Sequence, residues 1–169
     1  MNSNKLFTFV RLLISLSIIF AGSSVLAETT FEKIKRTGKV TVGTEAAFPP
    51  FEFVEDGKIV GYGKDILDYI VADMKVELNQ LDLPWQGILP GVLAGKFDFV
   101  ATSVSIRAER AKKYAFTVPI AEGTNWVMKR SGDASINSPD DLSGKVVCTQ
   151  LASGSEKATK EWEVDMKSR

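Results

Sequence analysis

Between Lys39 and Val104 the chain changes hydrophobic period again and again, and this restricts its fold more than any other feature. The run "KVTVGT" (39–44) alternates with the period of a strand. In "KDILDYIVADM" (64–74) Ile66, Ile70 and Met74 fall four apart with Tyr69 beside them, the spacing of an amphipathic helix. "KVELNQLDL" (75–83) reads as a strand, and "QGILPGVLAGK" (86–96) as a second helix with Ile88, Leu89, Val92 and Leu93 inward. "FDFVATSV" (97–104) is a third strand. Strands taking turns with helices of this length predict an α/β fold, a mostly parallel sheet covered on both faces. Two features interrupt it. Pro49-Pro50 reads as an extended loop, because neither residue can donate to a ladder. "FEFVEDGKIVGY" (51–62) reads as a hairpin around Asp56-Gly57.

The flanks carry weaker patterns. "ETTFEKIKRTG" (28–38) offers a threonine cap, a short helix with Phe31 and Ile34, and Gly38 as its stop. "RAERAKKY" (107–114) is a helical turn or two and "AFTVPI" (115–120) is extended. A second pattern starts after Pro119. "TNWVMKR" (124–130) reads as a strand, 131–144 as a polar loop with a short helix, and "KVVCTQ" (145–150) as a strand holding Cys148 inside. "ASGSEKATKEWEVDMKSR" (152–169) becomes a charged helix whose apolar stripe is Ala158, Trp162 and Met166. A hinge is expected near Val118 to Ala121.

In open parallel sheets, ligands sit beyond the carboxyl ends of the strands. The loops at those ends are 44–51, 83–87 and 102–110, so they converge on one edge. They bring Glu45, Phe48, Trp85, Thr102, Ser103, Ser105 and Arg110. Apolar walls with a few placed polar groups make a small-molecule pocket. A zwitterion fits this inventory. Arg110 offers two parallel N–H bonds to a carboxylate, and freed backbone amides near Arg107 add donors. Phe48 and Trp85 can sandwich a side chain, and Glu45 suits an amide or a cation. Of Ser103 and Ser105, which alternate, one is expected to meet ligand and the other scaffold. Each residue also has a plainer reading: Phe48 as a loop anchor, Trp85 as a hydrophobic staple, Arg110 and Glu45 as solvated surface charges.

The ends and the composition set limits. Residues 1–27 carry Lys5 and Arg11, then an apolar stretch from Leu12 to Phe20, then small residues up to Ala27, the order of a secretory signal peptide. Without Lys5 and Arg11 the 21 basic residues fall to 19 against 21 acidic ones, which argues against nucleic acid as a partner. No histidine is present, which removes Ser-His and Cys-His nucleophilic pairs and the commonest zinc ligand. The single cysteine cannot form an internal disulfide. "GYG" at 61–63 lacks the third glycine of a dinucleotide site. No cofactor is expected.

"KVTVGTEAAFPPFEFVEDGKIVGY", "WQGILPGVLAGKFDFVATSVSIRAERAKKYAFTVP" and "DLSGKVVCTQLASGSEKATKEW" together resemble the polar amino-acid-binding proteins of bacterial ABC importers, family 3 of the extracellular solute-binding proteins. The resemblance runs from Phe31 to Trp162. It implies a type II periplasmic-binding fold, two lobes joined by a hinge, with lobe one over 28–118 and the hinge with the first half of lobe two over 119–169. It places Arg110 on the ligand α-carboxylate, Thr102, Ser103 and Ser105 before it, Phe48 and Trp85 as the aromatics, and Glu45 on the ligand side chain. In lobe two it points to the helix-opening turn of Gln150, Ser153, Gly154 and Ser155, with Ala152 where the family carries glycine. Family members continue beyond this length, complete the second lobe and supply an aspartate for the α-amino group. The resemblance therefore implies an incomplete lobe two and weak binding or none.

The implied role is a monomeric periplasmic component handing a polar amino acid to a membrane permease. Glutamine or a basic amino acid is favoured by Glu45; an acidic ligand would need Lys129 or Arg130 to offset that charge. A periplasmic enzyme on the same scaffold, such as a cyclohexadienyl dehydratase, and a fragment without function are the alternatives. A receptor's sensing domain is disfavoured by the lack of a later membrane segment in this sequence.

Overall fold

A computed structural model describes residues 28 to 168. The expected signal peptide and the inward placing of the Met166 side chain lie outside the described residues. The chain divides into two units at Thr37/Gly38. In the first, helix α1 (Thr30–Thr37) opens with a reciprocal cap. The Glu32 amide donates to Thr29 Oγ1 at 3.2 Å, and the Thr29 amide donates to Glu32 Oε2 at 2.9 Å. Arg36 grips Glu28 with two N–H bonds of 2.7 and 2.8 Å, which hold the Glu28 carboxyl below its ordinary pKa.

In the second unit the expected parallel sheet is present. Strand β1 (Lys39–Thr44) lies at its centre, flanked in parallel by β5 (Glu77–Asp82) and β6 (Phe99–Val100). The register sets Val42 opposite Gln80 on one side and Phe99 on the other. With a neighbour on both edges, β1 buries Val40, Val42 and Thr44 almost completely. Thr44 stays satisfied there, donating to the Ala101 carbonyl at 2.9 Å and accepting from Gln80 Nε2 at 2.9 Å.

Two helices make the crossovers that parallel strands require. Helix α2 (Tyr62–Met74) precedes β5, and α3 (Trp85–Leu93) leads from β5 toward β6. The buried residue of α2 is Leu67, whereas Ile70 and Tyr69 are exposed. This corrects the expected face at Ile70 and Tyr69, while Ile66 and Met74 are half-buried: Gly63, Leu67, Val71 and Met74 form the inner stripe at helical spacing. Helix α3 buries Trp85, Ile88 and Gly91. Behind it Phe97 is wedged between two glycines. An added Cβ at Gly43 would approach its ring to 2.6 Å, and one at Gly91 to 2.7 Å. No larger residue fits at either place without moving the ring.

The hairpin is as expected: β3 (Glu52–Glu55) pairs antiparallel with β4 (Lys58–Val60) across Asp56-Gly57. It carries a third strand not anticipated, β2 (Ala47–Phe48), which pairs with β3. The chain returns through a turn at Pro49–Phe51, closed by the Phe51 amide on the Phe48 carbonyl at 2.9 Å. The two prolines therefore occupy a turn and not an extended loop.

The later expectations divide. Helix α4 (Ala108–Ala111) is a single turn. A 3-10 turn at Pro139–Leu142 has its capping box from Ser138 and Asp141 and buries Leu142. Helix α5 (Gly154–Ser168) is present, with Trp162 38% exposed. The two strands expected at 124–130 and 145–150 are not formed. Trp126, Met128 and Val146 are 85%, 95% and 93% exposed, and Cys148 is exposed instead of buried. Alternation supplies a face for a sheet, but a strand exists only when a neighbour takes its backbone bonds. Among the described residues neither segment has one.

Candidate functional site

Because β1, β5 and β6 run parallel, their carboxyl ends Thr44, Asp82 and Val100 share one edge. The loops that leave this edge carry the candidate residues. Glu45 follows β1 directly, and the next amide, Ala46, is held by Asp82 Oδ1 at 2.9 Å, tying the ends of β1 and β5 together. Trp85 opens α3 and is 8% exposed. Its burial makes it part of the core at the start of this helix. The Arg110 guanidinium also stands over its ring at 5.4 Å from the centroid, within cation–π range.

Arg110 is the most distinctive group of this edge. Nη1 donates to the Ser105 carbonyl at 3.2 Å and Nη2 to the Ala152 carbonyl at 3.5 Å, both neutral acceptors. Among the described residues it has no carboxylate partner. Burial, and then the charge of Arg107, pull its pKa below the ordinary arginine value. A half-buried cation held by neutral carbonyls beside a second cation is a place where an anion would be stabilised. The single turn of α4 leaves little aligned backbone to help it, so the expected contribution of helix amides is slight.

The hydroxyls separate by role. Thr102 Oγ1 and Ser103 Oγ donate to Glu52 at 3.3 and 2.8 Å, so both face scaffold. Ser105 is exposed, and its carbonyl serves Arg110. Ser103 is thus the scaffold member of the alternating pair, and Ser105 lies on the exposed side. Glu52 itself was missed. In "FEF" the alternation places the glutamate on the wet side of the hairpin, yet it is 2% exposed. Phe48 is 46% exposed and stacks on Phe51 at 5.3 Å, with Tyr62 edge-on to Phe51 at 6.3 Å. Its ring partner is this aromatic row and not Trp85.

The turn before α5 comes to the same edge. Gln150 Nε2 donates to Glu45 Oε1 at 2.6 Å. Ser153 Oγ caps α5 by accepting from the Glu156 amide at 3.1 Å, and Glu156 returns a bond from the Ala152 amide at 2.6 Å. Ala152 has φ +60°, the left-handed conformation that a glycine adopts without cost and an alanine does not. Gly154 leaves room for Arg107, whose guanidinium fills the space a Cβ would take. Ser155 Oγ bonds Asn125 Oδ1 at 3.1 Å, and Lys157 pairs with Glu109 at 2.8 Å. Glu45, Trp85, Ser105, Arg110 and Gln150 therefore gather at one edge, whereas Ser153 and Ser155 serve local structure. Depressions of about 530 and 270 Å³ are lined by other residues, the first along α5 and the second by Leu81, Leu83, Pro84, Gly87, Lys96 and Phe97. No group of three or more metal-ligating side chains exists among the described residues.

The family model of the bacterial extracellular solute-binding proteins, family 3, matches residues 40–166. The L-cystine-binding protein TcyJ of Escherichia coli (strain K12) is 32% identical over 143 residues, covering 82% of this chain and 54% of its own length. The chain thus spans about half the length of the curated relatives it matches. Among solved structures, the ancestral amino acid-binding protein AncCDT-1, a precursor of cyclohexadienyl dehydratase, aligns with a TM-score of 0.72 and 32% identity, covering 79% of this chain and 61% of that one. The arginine-bound form of a truncated ArgBP from T. maritima aligns with a TM-score of 0.66 and 30% identity, covering 77% and 62%.

Proposed function

The chain belongs to the bacterial extracellular solute-binding proteins, family 3, and from that premise we propose that it serves a periplasmic solute-binding component of an amino-acid ABC importer. In this reading a polar α-amino acid lies at the strand-end edge. Arg110 takes the α-carboxylate, Trp85 backs the guanidinium, and Glu45 meets the ligand side chain, with Gln150 beside it. The loaded protein delivers the amino acid to a membrane permease and performs no chemistry on it. The observation that carries the reading is Arg110, a half-buried guanidinium whose only acceptors among the described residues are the carbonyls of Ser105 and Ala152. A ligand carboxylate is a better acceptor than either and matches the guanidinium fork.

The side-chain class follows from Glu45. Its carboxylate already accepts from a primary amide, the Gln150 side chain, at 2.6 Å. A glutamine ligand would present the same amide, and a basic ligand a stronger donor, so these two classes are favoured over acidic ones. The arginine carried by one structural relative and the cystine in the name of a sequence relative agree on an α-amino acid and differ in side chain.

The test is a thermal-shift screen of residues 28–169 against the twenty amino acids at millimolar concentration, with Arg110→Ala as the comparison. One polar amino acid is expected to raise the melting temperature of the wild type. In Arg110→Ala its affinity should fall about 30- to 5,000-fold, the range for removing one partner of a buried charged pair. Silence toward every amino acid, or an Arg110→Ala variant that binds as the wild type does, overturns the proposal. Turnover of prephenate without amino-acid binding would favour a dehydratase instead.

A further inference from the structure

Glu52 touches none of the groups proposed to meet ligand, yet it shares with Thr44 the deepest burial of any polar side chain among the described residues. A carboxylate removed from water is costly unless donors replace the water. Here three donors do so, and all come from two consecutive residues. The Ser103 amide and Thr102 Oγ1 donate to Oε2 at 3.1 and 3.3 Å, and Ser103 Oγ donates to Oε1 at 2.8 Å. Glu52 belongs to the hairpin sheet, whereas Thr102 and Ser103 leave the parallel sheet just after β6. On its other side Glu52 is backed by the first turn of α2. Gly63 leaves the space that Oε1 occupies, and a Cβ there would collide with it.

These contacts explain why β6 is so short. The Ala101 amide still bonds the Gly43 carbonyl at 2.9 Å, and the next two residues turn to the carboxylate. Two residues beyond Ser103 is Ser105, whose carbonyl holds Arg110 Nη1. The direction of the arginine therefore depends on where Glu52 stops the strand. We propose that Glu52 is a positioning residue for amino-acid binding, fixing the segment from Thr102 to Ser105 so that the Ser105 carbonyl aims the Arg110 guanidinium at the ligand carboxylate. This rests on the function proposed above and deepens it.

The experiment has two arms, both on the chain from residue 28. Hydrogen exchange reads the amides of 102–110, and titration calorimetry reads binding of the amino acid found in the screen. The variants are Glu52→Gln, Gly63→Ala, Arg110→Ala and the double Glu52→Gln/Arg110→Ala. Glu52→Gln keeps the shape but removes the charge that its three donors address. Gly63→Ala pushes the carboxylate away from the other side, while alanine favours the helix that carries it. Both single changes should speed exchange in 102–110 and leave β1 and β5 protected. Both should weaken binding about 10- to 100-fold, the range for lost hydrogen bonds to a charged group.

The double variant should bind no more weakly than Arg110→Ala alone, since Glu52 acts through that arginine. A residue that merely supports the fold would give additive losses, and that result overturns the proposal. So does unchanged exchange in 102–110, or unchanged binding once this segment has loosened. If the wild type binds no amino acid, the functional reading fails separately. The exchange arm then decides alone whether Glu52 holds the segment that carries Arg110.

Discussion

Strand β1 and the segment 145–150 have nearly the same character on paper, "KVTVGT" against "KVVCTQ", and opposite fates in the structure. In β1 the valines are 1% and 0% exposed, because β5 and β6 bond both edges and α3 packs nearby. In the second segment Val146 is 93% and Val147 40% exposed. The difference lies in the neighbours and not in the residues. A strand's apolar face lowers free energy only when a second surface covers it, and its backbone bonds form only when another strand arrives. Burial of a side chain such as Val42 contributes about 1.5–3 kcal/mol, and the same valine in the open contributes none of it.

The strongest way to break this comparison is to truncate a side chain in each region. Ile88→Ala removes a fully buried side chain beneath the sheet and should cost about 2–5 kcal/mol in chemical denaturation. Val146→Ala should stay within about 0.5 kcal/mol of the wild type. Equal losses would mean that 145–150 is covered in solution, and the contrast drawn above would fall.

A smaller effect sharpens the packed side alone. Gly91→Ala favours helix by propensity but drives a methyl group toward the Phe97 ring, so overpacking should win by about 1–3 kcal/mol. A stabilised variant in the same denaturation assay would show that Phe97 has room to yield.

The smallest effect concerns the contact between α4 and α5. The Lys157 bond holds the Glu109 carboxyl below its ordinary 4.5, and the Glu109 bond raises Lys157 above its ordinary 10.5. A depressed carboxyl stabilises above its unfolded value and loses that contribution as pH falls through the folded one; a raised lysine does so below its unfolded value and loses it as pH rises. The pair should therefore hold between about pH 4.5 and 10.5 and weaken outside that window. Both side chains are half exposed, so only a slight change is expected. A protection factor at the start of α5, taken against the intrinsic exchange rate at each pH, that falls below pH 4.5 and does not fall in Lys157→Met would confirm the sign. A protection factor that rises on acidification would refute it.

The sheet, its two crossover helices and the hairpin were legible because each has a local period and a stop. Asp56-Gly57 marks the turn by itself, and so does the threonine cap of α1. The contrast between 39–44 and 145–150 was not legible, since pairing is a property of partners far along the chain. The site was readable as a set of loops, because parallel strands place their ends together whatever the side chains do. Arg110, Glu45 and Trp85 emerged from that rule, and Gln150 from the resemblance. Glu52 did not, because period-two alternation assigns it to water; only its bonds with residues fifty positions away bring it inside. Ser153 is the converse case. Its place before a helix reads equally as a cap or a ligand contact, and in the structure it caps.

The central position of β1 has a consequence for the chain while it is being made. Among the described residues it is the first strand synthesised, yet both of its neighbours come later, and its last tie, from Thr44 Oγ1 to the Ala101 carbonyl, spans 57 residues. At ribosomal speeds of about 5–20 residues per second, the nascent strand waits about 3 to 11 s with an edge uncovered. During that interval its valines, buried in the finished sheet, are open to any hydrophobic surface they meet.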